Sequence, residues 1–135
     1  MRSEEWLLKE TKDMEEKMTV QYKSKVFAID IINLYKSIVE NKKEYVLSKQ
    51  LLRCGTSIRA NVAEAESAIS KKDFLSKMYI AFKECCETEF WLDILHETQY
   101  VDEASFSLLM PKCLDLKKLL SSITKTLKDS INNSL

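Results

Sequence analysis

The sequence predicts an all-α protein, an antiparallel up-down four-helix bundle. Three observations predict it. First, one Gly and one Pro occur in 135 residues, against average usages of about 7% and 5%. Sheets and loop-rich folds need both residues at their turns, so long helices with short connections remain. Second, apolar residues recur at spacings of three and four along four stretches separated by short polar breaks. Third, 135 residues with 45% hydrophobic and 31% charged side chains supply one globular domain and one core. The bundle domain is placed at residues 18–130, after a charged N-terminal extension (1–17) and before a frayed C-terminal tail (131–135).

The first stretch, Val20 to Glu40, carries Val20, Phe27, Ile31, Leu34 and Ile38 on one helical face. Asn41, Lys42, Lys43 and Glu44 then form a loop. The second stripe is Leu47, Leu51, Cys54, Ile58, Val62, Ala65 and Ile69. These residues fall within roughly 60° of arc at about 100° per residue. Gly55 interrupts this helix at a cost of about 1 kcal/mol relative to Ala, which points to a close helix–helix approach. Ser70, three residues before Asp73, reads as a cap for the third helix. Its stripe is Phe74, Met78, Ala81, Cys85, Thr88, Leu92 and Leu95, ending at Tyr100 and Val101. Asp102 caps the fourth helix, with Phe106, Leu109, Cys113, Leu116, Leu120, Ile123 and Leu127 facing inward. Pro111 predicts a kink or a broken first turn near Ser107 to Pro111. Residues 1–17 are too polar for a fifth core helix and either extend the first helix or fray. The end, Asp129 to Leu135, is expected to fray.

Several function classes are excluded. No apolar run approaches the roughly 18 residues of a membrane span. Met1 to Lys17 is charged throughout and lacks a signal peptide's apolar core, so a cytoplasmic protein is expected. Cys54, Cys85, Cys86 and Cys113 form no Cys-x-x-Cys pair, and His96 is the sole histidine. No zinc or carboxylate-bridged di-metal site can be built from them, so neither metal nor cofactor is expected. The cysteines read as small reduced core residues.

A polar stripe runs beside the second apolar face: Gln50, Arg53, Ser57, Asn61 and Glu64. The third helix carries Ile80, Glu84, Glu87 and Trp91 in the same sense. Antiparallel helices turning near Ser70 place residues level when their numbers sum to about 140. Arg53 then lies level with Glu87, Ser57 with Glu84, and Glu64 with Lys77. The stripe reads as a ladder that fixes helix register. A catalytic pair of Glu84 and Glu87 is the alternative, but no His, nucleophile or Gly-built oxyanion loop accompanies them. The chain is expected not to be an enzyme.

The formal net charge of zero conceals segregation. Residues 1–17 carry −2, residues 18–83 +6, residues 84–103 −7 and residues 104–135 +3. Up-down topology gathers Lys23, Lys25, Lys71, Lys72, Lys77, Lys125 and Lys128 at one bundle end. Such a cluster can contact phosphates or can be a solvated end that aids solubility. No aromatic–basic interleaving that stacks bases is visible along the chain. Apolar residues off the main stripes, Val26, Ile29, Ile32, Tyr35 and Val39 on the first helix and Tyr79, Phe82, Phe90, Trp91 and Ile94 on the third, predict self-association.

The run Arg53-Cys54-Gly55-Thr56-Ser57-Ile58-Arg59-Ala60-Asn61-Val62-Ala63-Glu64-Ala65 is distinctive. So is Ser70-Lys71-Lys72-Asp73-Phe74-Leu75 with Lys77, Met78, Ile80 and Ala81, followed by Lys83-Glu84 and Glu87-Thr88-Glu89-Phe90-Trp91-Leu92. Together they resemble the bacterial four helix bundle protein family, also called the 23S rRNA intervening-sequence protein family, over about Val20 to Lys128. The family's signature positions correspond to Arg53, Ser57, Asn61, Glu64, Lys77, Glu84 and Glu87. One departure is Arg59, where the family usually has Gly or Pro; it adds a basic contact or opens room for solvent. The resemblance implies a ring-like homopentamer. A related branch is the accessory protein of diversity-generating retroelements, which looks like a basic pentamer that binds nucleic acid and a reverse transcriptase. No enzymatic activity is established for the family.

Two functions follow as expectations. The leading one is an oligomeric, non-enzymatic bundle that binds RNA or a nucleoprotein partner. Its candidate contacts are Lys23, Lys25, Lys71, Lys72, Lys125, Lys128 and Arg59. The alternative is a protein–protein adaptor or assembly scaffold with no nucleic-acid role.

Overall fold

Four helices follow one another in the computed structural model: α1 (Glu4–Lys42), α2 (Leu47–Ala65), α3 (Lys71–Glu97) and α4 (Glu103–Asn133). Residues 3–133 are described, apart from the side chains of residues 16–18; residues 1, 2, 134 and 135 of the two terminal segments lie outside the described residues. No strand occurs among the described residues. Each helix packs on the next, and α4 closes on α1. Cross-helix ion pairs show the antiparallel order. Lys23 meets Asp115 and Asp30 meets Lys112, while Arg53 meets Glu84 and Glu64 meets Lys77. In each pair of helices one number rises as the other falls.

The four stripes form one core. Phe27, Ile31, Leu51, Ile58, Met78, Leu92, Leu116 and Leu120 are almost wholly buried. Ile69 is the exception to the second stripe, at 94% exposed. Helix α2 ends at Ala65, and tighter turns carry Glu66, Ser67 and Ala68 to Ala63, Glu64 and Ala65. Helical periodicity therefore no longer applies at Ile69.

Gly55 has the close-approach role the sequence suggests. A Cβ placed there would lie 2.8 Å from Cγ2 and 2.9 Å from Cγ1 of Ile31 on α1. The missing side chain is what lets α1 and α2 meet at this level.

Helix α1 begins sixteen residues before Val20. Ser3 caps it by accepting the Trp6 N–H at 3.2 Å, with Glu4 and Glu5 favourably placed in the first turn. Glu and Lys are good helix formers, so the polar extension continues the helix without a buried stripe. Helix α4 likewise continues to Asn133, through residues where fraying was expected, and Pro111 does not break it. Proline takes one N–H out of the ladder and crowds the Ser107 carbonyl, and because Pro111 faces solvent that carbonyl can tilt outward and be hydrated. Ser70 and Asp102 cap as read: Ser70 Oγ accepts Asp73 N–H at 3.1 Å and Asp102 Oδ1 accepts Ser105 N–H at 2.7 Å.

Glu44, read as plain loop, is the device that starts α2. Its carboxylate accepts the N–H groups of Val46, Leu47 and Ser48 at 3.0, 2.8 and 2.7 Å. Burial pushes its pKa up, but these backbone bonds outweigh that and hold it below the ordinary 4.5. A depressed carboxylate stabilises the fold above its unfolded pKa, and that stability is lost as pH falls through the folded value. Glu44→Ala is therefore expected to cost about 1 kcal/mol at pH 7. It should also flatten part of the stability loss below about pH 4.5, read by urea unfolding across pH. An unchanged midpoint at pH 7 would remove the cap from the account.

Candidate nucleic-acid interface and polar ladder

The ladder forms between α2 and α3. Arg53 Nη1 lies 3.2 Å from Glu84 Oε2, and its Nη2 bonds to Glu87. Lys77 Nζ lies 3.1 Å from Glu64 Oε2. One guanidinium thus spans two levels and holds both carboxylates that a catalytic reading would need free. Ser57 and Asn61 bond within α2 instead, the Ser57 carbonyl accepting Asn61 Nδ2 at 2.8 Å, and Glu84, expected level with Ser57, pairs with Arg53. The Arg53 side chain is 48% exposed, so each pair contributes about 0–1 kcal/mol and mainly sets register.

The lysines separate into two groups. Lys71 and Lys72 open α3, and Lys125 and Lys128 lie in the last turns of α4. All four are exposed, and no carboxylate lies within 4 Å of them among the described residues. Lys25 is also exposed and without such a partner there. Lys23 instead pairs with Asp115 at 2.6 Å, and Arg59 with Glu66 at 3.3 Å. These two candidates are committed to neighbours, because α4 presents a carboxylate to Lys23 and the end of α2 presents one to Arg59.

The fold also produces an arrangement that the linear sequence hides. A groove of about 550 Å³ between α3 and α4 places Lys72, Lys125 and Lys128 beside Tyr79 and Phe82. Lys125 and Lys128 of α4 join Lys72, Tyr79 and Phe82 of α3 once the two helices are packed. Two further depressions adjoin the groove, the first sharing Phe82 and Ser121 with it and the second, lined by Phe90 and Asp93, sharing Leu114 with the first.

Helix α3 ends in a cluster that no sequence spacing signalled. The His96 ring stacks on Phe106, with centroids 3.9 Å apart. His96 Nε2 lies 2.7 Å from Glu103 Oε2. The hydrogen bond from His96 holds the Glu103 carboxyl below its ordinary range. This contact ties α3 to the start of α4 and occupies the sole histidine.

The cysteines carry no accessible nucleophile at the core. Burial pushes the Cys54 thiol up to about 12. The hydrogen bond to Cys113 and burial raise that of Cys85, whose Sγ lies 3.9 Å from Cys113 Sγ. No His/Cys/Asp/Glu cluster suited to a metal occurs among the described residues. No helix among them is long and apolar enough to cross a membrane.

With the bundle, the ladder and Gly55 in place, comparison with known proteins is decisive. Residues 16–122 match the 23S rRNA-intervening sequence protein family. The chain belongs to that family. It is also similar to a crystal structure from Bacteroides thetaiotaomicron VPI-5482, a protein of unknown function from the S23 ribosomal protein family. Identity is 46%, the match covers 82% of this chain and 98% of that one, and the TM-score is 0.79. No curated protein matches. The intervening-sequence match begins at residue 16, so most of the charged extension lies outside it.

Proposed function

We propose that this intervening-sequence protein is a non-enzymatic, oligomeric bundle of the cytoplasm that binds RNA through its lysine-rich end. The observation that carries the reading is the group of four exposed lysines, Lys71, Lys72, Lys125 and Lys128, with no carboxylate partner among the described residues. Two helix ends converge there, so the charges add at one surface. The homopentamer implied by the family resemblance would multiply a weak patch, and avidity would offset weak single contacts. Arg53 engages Glu84 and Glu87, which supports a structural ladder rather than acid–base chemistry.

The test is Lys71→Glu with Lys72→Glu. Both residues sit in the first turn of α3, where acidic side chains suit the helix dipole, so the fold is expected to persist. RNA affinity is expected to fall about tenfold or more at low salt. The slope of log affinity against log salt should become shallower by about 1–2, as two phosphate contacts are lost. Unchanged affinity would remove these lysines from the interface. A protein–protein adaptor is the second reading. The exposed apolar side chains Tyr22, Ile29, Tyr79 and Phe90 favour it, and a nuclease-resistant, stoichiometric protein partner would support it.

A further inference from the structure

We propose that a notch at the lysine-rich end holds one ribonucleoside 5′-phosphate with free 2′ and 3′ hydroxyls, the groups that the 3′-terminal residue of an RNA presents. A free mononucleotide carries the same groups. The inference deepens the RNA reading above and rests on it for the source of the nucleotide.

Helices α1 and α4 run on past the turn that joins α2 to α3. Where the start of α3 meets them, a depression of about 320 Å³ opens, at the small end of the 300–1,000 Å³ range of ligand clefts. Ile123, almost wholly buried, and Leu127 give it an apolar lining from α4. Lys9, Glu10 and Asp13 line it from α1, and Lys71 from α3. Trp6 precedes Glu10 by four residues and Asp13 by seven, so it shares their face of α1. These α1 residues precede residue 16, where the family match begins.

The charges define the ligand. Two cations and two carboxylates line one small depression, yet none of the four lies within 4 Å of an opposite charge among the described residues. A bare phosphate would be drawn to Lys9 and Lys71 but repelled by Glu10 and Asp13. The ligand must therefore bring an anion to the lysines and hydrogen-bond donors to the carboxylates. A ribonucleotide does both, with its phosphate and its vicinal hydroxyls. A carboxylate accepting from ribose hydroxyls is also how dinucleotide-binding folds hold that sugar. The base face suits the apolar lining, and Trp6 offers a ring of the kind on which unpaired bases stack.

Position along the RNA follows from the same groups. An internal residue has its 3′ oxygen bonded to the next phosphate, which would set a second anion beside Glu10 and Asp13. A paired residue keeps its base inside the duplex stack. Only an unpaired 3′-terminal residue presents base, diol and one phosphate together. Lys72 and Lys128 directly follow Lys71 and Leu127 in the chain. The preceding phosphates of the RNA thus find cations beside the notch.

The test titrates the full chain into a 5′-fluorescein single-stranded RNA that ends in either a 2′,3′-diol or a 2′,3′-dideoxy residue, read by anisotropy. The diol end is expected to bind about tenfold more tightly. Glu10→Gln with Asp13→Asn is expected to erase that ratio with helical circular dichroism unchanged. Affinity for the dideoxy RNA should hold or rise, because two negative charges are gone. Carboxylates acting only through charge would raise both affinities alike and keep the ratio. Calorimetry with adenosine 5′-monophosphate and its 2′,3′-dideoxy analogue separates the two sources. A diol preference among the mononucleotides alone would make the free nucleotide the ligand and overturn the 3′-end assignment. A ratio near one for both the RNA ends and the mononucleotides, or a ratio that survives the double variant, would overturn the notch and leave the lysine-rich surface to its own variant. No binding of RNA or mononucleotide would overturn both.

Discussion

Phe27→Ala is expected to destabilise the bundle by about 3–5 kcal/mol. Phe27 is 1% exposed at the middle of the α1 stripe and belongs to the single core cluster. Truncation removes a large apolar side chain and leaves a cavity between long helices that cannot collapse at one level only. Against a total of about 5–15 kcal/mol, that loss would remove much of the stability. Urea unfolding followed by circular dichroism reads it. A cost below about 1 kcal/mol would mean that α1 does not carry the core as described.

Gly55→Ala carries the next largest effect and a less obvious sign. Alanine would add about 1 kcal/mol of helix propensity in α2. Its Cβ would also enter the space of Ile31, whose own Cβ lies 3.2 Å away. Ile31 is β-branched and fixed in one rotamer in a helix, so it cannot swing aside. Overpacking costs about 1–3 kcal/mol, so the net expectation is destabilisation by up to about 2 kcal/mol. Combined with Ile31→Ala, the two changes should be coupled, with the double variant more stable than the sum of the singles by about 1 kcal/mol or more. A stabilising Gly55→Ala would show that the two helices do not meet there.

The sequence was most legible where periodicity governs. Phe27, Ile58, Leu92 and Leu120 lie on stripes that repeat at three and four, and all four are buried. The ladder was legible for the same reason: antiparallel helices turning at a known point fix which residues are level, and Arg53–Glu87 and Glu64–Lys77 follow. Ile69 was misplaced because periodicity cannot report where a helix stops. The Glu44 cap was missed because three backbone N–H groups converge on a carboxylate only in one loop geometry. The candidate site was half legible. Charge gathers at one end by topology, but pairing of Lys23 with Asp115 and of Arg59 with Glu66 depends on side-chain reach. The groove that sets Tyr79 beside Lys125 joins residues from two helices and has no counterpart in linear spacing.

The central claim is that the lysine-rich end engages RNA phosphates. Binding of nuclease-treated wild-type protein to a structured RNA at two salt concentrations tests it most directly. The account predicts a clear affinity at low salt that falls steeply as salt rises. No binding at low salt would contradict it and would assign the segregated charge to solubility or assembly.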